Sequence, residues 1–164
     1  MKKMKIGVLS DSHINKLSDL PKKTIDLLKN LDLIIHAGDY DEKGLIDDLR
    51  NFGNFKGVHG NMDSKEIKDE LPSKLILEIN NFNIGITHPH EGGPPFGIEN
   101  RLKKKFDQID LIIFGHTHTP KNEVIDGILY FNPGSATGKW PARRKTFGII
   151  EINETIKGKI IKLE

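Results

Sequence analysis

Ile6-Gly7-Val8-Leu9-Ser10-Asp11-Ser12-His13 is an apolar run of strand length that stops on a carboxylate and an imidazole. Aliphatic residues side by side suit a strand buried on both faces, and the polar tetrapeptide marks where such a strand leaves the core. The same two-part unit recurs. Ile35 gives way to His36-Ala37-Gly38-Asp39, Val58 to His59-Gly60-Asn61, Ile86 to Thr87-His88-Pro89-His90, and Phe114 to Gly115-His116-Thr117-His118.

Further strand-length runs surround these. Positions 5–9, 31–35, 55–58, 75–79, 84–87, 111–114, 124–131 and 147–152 are rich in Ile and Val and predict strands. Helix-like stretches separate the early ones. Pro21 suits a helix start ahead of Ile25, Leu27 and Leu28, and Leu45, Ile46 and Leu49 form an apolar stripe in the next segment. Strand and helix alternating in the first half predict βαβ units and a largely parallel sheet. In the second half, 75–87 is broken by Asn80-Asn81, and Asp126-Gly127 divides Val124-Ile125 from Ile128-Leu129, so both read as hairpins. A mixed α/β fold with a second sheet follows. The 164 residues fit one domain, 1–164, without a repeat or linker, and Gly92-Gly93-Pro94-Pro95 reads as a short loop over a site.

Composition narrows the chemistry. Cysteine is absent, which excludes disulfides, zinc-thiolate sites and a Cys nucleophile. A net charge of +2 with 29% charged residues is too weak to argue for nucleic acid. Lys103-Lys104-Lys105 reads as the solvated face of a helix. The first apolar run is too short for a signal peptide, and nothing approaches the roughly 18 apolar residues of a membrane span, so a soluble, cytoplasmic protein is expected.

In α/β sheets ligands gather beyond the carboxyl ends of the strands, where all five polar groups could meet. Gly38, Gly60 and Gly115 precede three of them, as a sharp turn or close backbone approach requires. Asp11 and His13 are two apart, so in an extended segment both leave on one side; His116 and His118 share that spacing. Singly, each motif has an ordinary explanation: Asp-x-His arises by chance, Gly-Asp is usually a turn, and His88 reads as a hydrogen-bonded strand-end histidine. Together they supply two Asp, one Asn and four His, a set that suits Mn, Fe, Zn or Ni better than Ca or Mg. Seven ligands exceed one tetrahedral ion and suit two ions sharing a carboxylate.

Asp11-Ser12-His13, Gly38-Asp39, Gly60-Asn61-Met62-Asp63, Thr87-His88, Gly115-His116-Thr117-His118 and Asn132-Pro133-Gly134-Ser135 resemble, in that order, the calcineurin-like metallophosphoesterases, small single-domain prokaryotic phosphodiesterases above all. The resemblance implies a four-layer αββα sandwich of two mixed sheets. It implies that Asp11, His13 and His118 hold one divalent ion, Asn61, His88 and His116 a second, and that Asp39 bridges them. Mn is the first expectation, with Ni, Fe, Zn or Mg as alternatives. Asn132-Pro133-Gly134-Ser135 is implied to be a conformational turn, and His36 a supporting or core residue. Two departures stand out: Met62 replaces the His that follows the ligand Asn in many larger members, and Pro89 stands where close relatives often have Gly.

The implied activity is hydrolysis of a phosphate ester, most readily a diester, by attack of a metal-bridging hydroxide at a dinuclear site. His90, two residues from His88 across a rigid Pro, is the candidate catalytic acid. Arg143 and Arg144 could steady a phosphate, though surface ion pairing is the more ordinary expectation. The expected partner is a small phosphate ester, a nucleotide-like one among them, with no membrane and with homo-oligomerisation left open. A phosphomonoesterase, or a protein-binding scaffold of the same fold such as the retromer subunit, are the alternatives.

Overall fold

A computed structural model describes residues 2–89 and 97–163. Ten strands form two sheets. The first has the order β10-β9-β1-β2-β3 and the second β4-β5-β6-β8-β7. Here β1 is Met4–Leu9, β2 Leu33–His36, β3 Phe55–Gly57, β4 Lys74–Ile79, β5 Phe82–Thr87, β6 Leu111–Phe114, β7 Lys121–Ile125, β8 Ile128–Asn132, β9 Lys145–Ile152 and β10 Ile156–Leu163. Among the described residues four α-helices, α1 Lys22–Leu28, α2 Lys43–Phe52, α3 Lys65–Glu70 and α4 Ile98–Lys103, and the 3-10 turn Leu17–Asp19 complete the set.

Both sheets are mixed. β1, β2 and β3 run parallel, with β9 and β10 antiparallel beside them. β5, β6 and β8 run parallel, with β4 and β7 antiparallel at the edges. The two predicted hairpins join β4 to β5 and β7 to β8. Their turn residues Asn80, Asn81, Asp126 and Gly127 all have positive φ, between 50° and 79°, as two-residue turns between twisted strands demand.

Three apolar clusters define four layers. Ile6, Val8, Ile35 and Val58 of the first sheet meet Ile84, Ile113 and Phe131 of the second in a central core. The first sheet's other face carries Leu9, Ile34 and Phe147, covered by Leu28 of α1, Leu45, Ile46 and Leu49 of α2 and Ile67 of α3. On the second sheet's outer face, Ile112, Phe114 and Tyr130 pack under Ile98 and Leu102 of α4. Each fully buried aliphatic or aromatic side chain contributes roughly 1.5–3 kcal/mol. Continuous apolar runs in β2 and β6 are therefore explained: their alternate residues feed cores on opposite faces.

β10 lies beyond the last predicted run. Lys157, Lys159 and Lys162 interrupt it, yet it pairs with β9 from Ile156 to Leu163 and forms the sheet edge, where lysines discourage further pairing.

Candidate metal centre

β1, β2, β3, β5 and β6 all end at the same side of the sandwich. The two ligand-bearing loops after β1 and β2 stay zipped together: Asp11 N donates to Gly38 O, His13 N to Asp39 O and Ile14 N to Tyr40 O, at 3.0, 3.1 and 2.7 Å. The peptides that hold the polar groups are not extended, contrary to the sequence expectation. Asp11, His13, Asp39, His116 and His118 have φ of 50°, 48°, 62°, 82° and 58°. Left-handed backbone at non-glycine residues costs on the order of 1–3 kcal/mol each and persists where the surroundings impose it. Asp11 and His13 converge because both backbones turn back, not because a strand alternates.

One ligand atom each from Asp11, His13, Asp39 and His118 lie within 4.8 Å of one another. Asp39 Oδ2 stands between two imidazoles, 3.7 Å from His13 Nε2 and 3.3 Å from His88 Nε2. His118 Nε2 is 3.3 Å, and His88 Nε2 3.9 Å, from Asp11 Oδ1. Asn61 Oδ1 is 2.9 Å from His88 Nε2. The His116 ring lies edge-on to that of His88, with centroids 5.3 Å apart. The structure thus brings together all seven side chains, from five loops and both sheets. His90 and the loop 91–97 up to Phe96 lie outside the described residues.

Proton accounting shows what the cluster can hold. His88 Nδ1 is 2.8 Å from Ala37 O, and His118 Nδ1 is 2.8 Å from Lys139 O. A carbonyl only accepts, so each ring spends a proton there and turns the lone pair of Nε2 toward carboxylates. Asp11 Oδ2 accepts from Ser10 Oγ at 2.9 Å and His116 N at 3.0 Å. Its Oδ1 is fully buried and, among the described residues, has no hydrogen-bond partner. Acceptors that face one another in a buried pocket need a cation between them. Ligand atoms sharing one ion, with bonds of about 2.0–2.2 Å, stand roughly 3–3.5 Å apart, close to the spacings seen here. The residues fit a divalent metal.

The electrostatics agree. Burial works to raise the Asp39 pKa, but hydrogen bonding and charge from His88, the Met62 N–H and His13 outweigh it and hold it at about 2. Burial opposes charge on His88 and His118, yet Asp39 and Asp11 keep His88 above its ordinary value, and Asp11 does the same for His118.

Two glycines make the approach feasible. A Cβ on Gly60 would collide with the Asp39 side chain; one on Gly115 would collide with Ser10 Oγ and come within 3.0 Å of Asp11 Oδ2. Several supporting residues escaped the sequence reading as such. Asp63 accepts from Asp39 N, Tyr40 N and Gly60 N at 2.9, 2.7 and 2.6 Å, although only its place after Gly60-Asn61-Met62 had singled it out. Ser135, in the predicted conformational turn, donates to Asp11 O at 2.8 Å and accepts from Lys139 N at 3.1 Å. His36, read as supporting or core, accepts from Gly38 N at Nδ1, so its Nε2–H donates to Ser12 Oγ at 2.8 Å. Burial drives its pKa down to about 3, and it stacks on Tyr40 as a neutral ring. Arg143 and Arg144 do not meet the ion-pairing expectation: among the described residues neither lies within 4.0 Å of a carboxylate.

An αββα sandwich with a carboxylate–imidazole cluster at its strand ends defines a metallohydrolase-like class. Residues 4–155 match the calcineurin-like phosphoesterase superfamily domain, and the chain belongs to that family. It is 38% identical over 164 residues to a probable metallophosphoesterase of Methanocaldococcus jannaschii, covering 98% of this chain and 82% of that protein. A phosphodiesterase of the same organism is 30% identical over 149 residues, covering 82% of this chain and 86% of that protein. Among solved structures, a double mutant of Vps29 from Entamoeba histolytica superposes with a TM-score of 0.79 at 26% identity, covering 98% of this chain and 100% of that one. No helix of the described residues is long and apolar enough to cross a membrane.

Proposed function

We propose that the chain hydrolyses phosphate esters, diesters in preference to monoesters, at a site that takes two divalent ions, Mn first. Asp11, His13 and His118 hold one ion, Asn61, His88 and His116 the other, and Asp39 serves both. The observation that carries this reading is the buried Asp11 Oδ1, without a hydrogen-bond partner among the described residues, facing His118 Nε2 at 3.3 Å, with the Nδ1 protons of His88 and His118 committed to backbone carbonyls. Diester preference is supported by the phosphodiesterase relative.

Bound ions would supply Lewis acidity, an activated water and neutralisation of developing charge on the phosphoryl oxygens. The chain's own residues prepare that chemistry. Asp39 stays ionised because its carboxylate is flanked by His13 and His88 and receives the Met62 N–H at 2.9 Å. The carbonyls of Ala37 and Lys139 engage Nδ1 of His88 and His118 and so make Nε2 the ligating nitrogen of each. Asp11, Asp39 and His88 are buried, whereas Asn61 is half-buried and His116 exposed, which leaves that side open for a phosphate to approach. His90 is the proposed proton donor to the leaving group, on its sequence position two residues after His88.

Hydrolysis of p-nitrophenyl diester and monoester substrates, by chelated and Mn-loaded protein, tests the reading. Mn-dependent turnover, faster on the diester, is expected. Turnover of neither after loading would favour a protein-binding scaffold, and a faster monoester would favour a phosphomonoesterase.

A further inference from the structure

A pocket of about 540 Å³ is lined, among the described residues, by Thr137, Gly138, Arg143, Arg144, Lys145 and Leu163. That volume falls within the rough 300–1,000 Å³ range of small-molecule sites. Half of the described lining residues are cations. Among the described residues none of the three has a carboxylate within ion-pair distance, whereas Arg50 pairs with Glu70 and Lys121 with Glu99 elsewhere on the surface. Like charges gathered without a counter-charge repel one another, and an anion placed among them relieves that cost. Two adjacent guanidiniums also present planar, forked sets of donors that fit phosphate oxygens bidentately.

The pocket and the metal cluster share one hydrogen-bonded frame. Thr137 Oγ1 donates to Ser12 O, between Asp11 and His13, at 2.8 Å. Lys139 O receives His118 Nδ1, and Lys139 N binds Ser135 Oγ, which itself holds Asp11 O. The 137–145 segment is therefore anchored to the Asp11, His13 and His118 half of the centre. β9 begins and β10 ends here, so the pocket occupies the same end of the sandwich as the cluster.

We infer that this basic pocket binds a second phosphate of the substrate, so that the preferred esters carry a phosphate on the alcohol beyond the scissile bond, as nucleotide-like diesters do. The substrate class rests on the phosphoesterase reading above; the anion site does not. Trp140, 85% exposed in the same loop, adds planar apolar surface for a heterocyclic base.

The test is an NMR titration of the full chain, held metal-free with excess chelator, using inorganic pyrophosphate as the probe. Amide shifts concentrated at 137–145 are expected, with affinity falling about tenfold in an Arg143→Ala/Arg144→Ala variant and largely retained in Arg143→Lys/Arg144→Lys. A Lys103→Ala/Lys104→Ala control should bind like the parent. An alanine pair that binds as tightly as the parent, or a control that weakens as much, would overturn the site. The Mn-loaded enzyme then tests the substrate class: the alanine pair should lower the preference for a phosphate-bearing diester over p-nitrophenyl diesters by about tenfold. An unchanged preference would overturn that part. Absence of all turnover would sink the phosphoesterase reading while the pyrophosphate result stood.

Discussion

The Asp63 side chain holds the main chain of Asp39: Oδ2 accepts from Asp39 N at 2.9 Å and Oδ1 from Tyr40 N at 2.7 Å. Asp39 is left-handed at φ 62°, a sparsely populated conformation for a residue other than glycine. Asp63 also holds Gly60 N at 2.6 Å, so one carboxylate joins the loop bearing Asp39 to the loop bearing Asn61. Removing it in Asp63→Ala orphans three buried N–H groups and should cost roughly 1–3 kcal/mol or more. Denaturant unfolding with and without Mn checks this, and the Mn-dependent part of the stability should shrink as well. Loss of stability with undiminished ion affinity would show that Asp63 serves the fold alone.

His36 predicts acid sensitivity. Its folded pKa, about 3, lies below the ordinary 6.5, so the folded state excludes a proton that the unfolded state takes up. Stability from this residue is complete above about 6.5 and is lost as pH falls toward about 3, by roughly 1.4 kcal/mol per unit. Unfolding of the chelated protein at stepped pH should show that slope, and His36→Gln should flatten it. Parallel slopes in parent and variant would place the acid sensitivity elsewhere.

His88 and His118 carry raised pKa values in the metal-free protein, set against burial by Asp39 and Asp11. An ion must displace those protons, so affinity should weaken as pH falls and binding should release protons. Calorimetric titration of the chelated protein with Mn, in buffers of different ionisation heat, reads the number released. Binding without release would mean that both rings are already neutral.

Gly115→Ala should damage ion binding more than folding. The new Cβ meets Ser10 Oγ and Asp11 Oδ2, two members of the same hydrogen bond, and comes within 3.1 Å of His88 Nδ1. Overpacking of this kind costs about 1–3 kcal/mol, while Asp11 and His88 are displaced together. Mn affinity and the unfolding midpoint measured on one preparation separate the two effects.

His90→Ala should slow an alkyl phosphodiester more than a p-nitrophenyl one, since only the poorer leaving group needs a proton. Equal losses on both substrates would remove His90 from that role.

Much of the architecture was legible because hydrophobic runs and turn chemistry are local. The hairpins at Asn80-Asn81 and Asp126-Gly127 follow from residues that accept positive φ. The clustering of Asp11, Asp39, Asn61, His88 and His116 followed from one rule, that parallel strands deliver their carboxyl ends to one side. What escaped depends on tertiary context. β10 is an edge strand whose Lys157, Lys159 and Lys162 are exposed between partly buried residues, so no apolar run announces it. Left-handed backbone at Asp11 and His13 accompanies the hydrogen bonds to Gly38 O and Asp39 O, and the modest tolerance of Asp and His for positive φ does not announce it in the sequence. Asp63 entered only as part of the Gly60-Asn61-Met62-Asp63 motif, because its partners on the other loop, the N–H groups of Asp39, Tyr40 and Asp41, lie 24 to 22 positions away.

Metal stoichiometry tests most directly whether a pair of ions is held on either side of Asp39. The chelated parent, titrated with Mn and freed of excess, should retain two ions per chain at saturation, and Asp39→Asn should lose at least one together with diester turnover. A parent that turns over the diester with one ion, or an Asp39→Asn variant that keeps both, would contradict it.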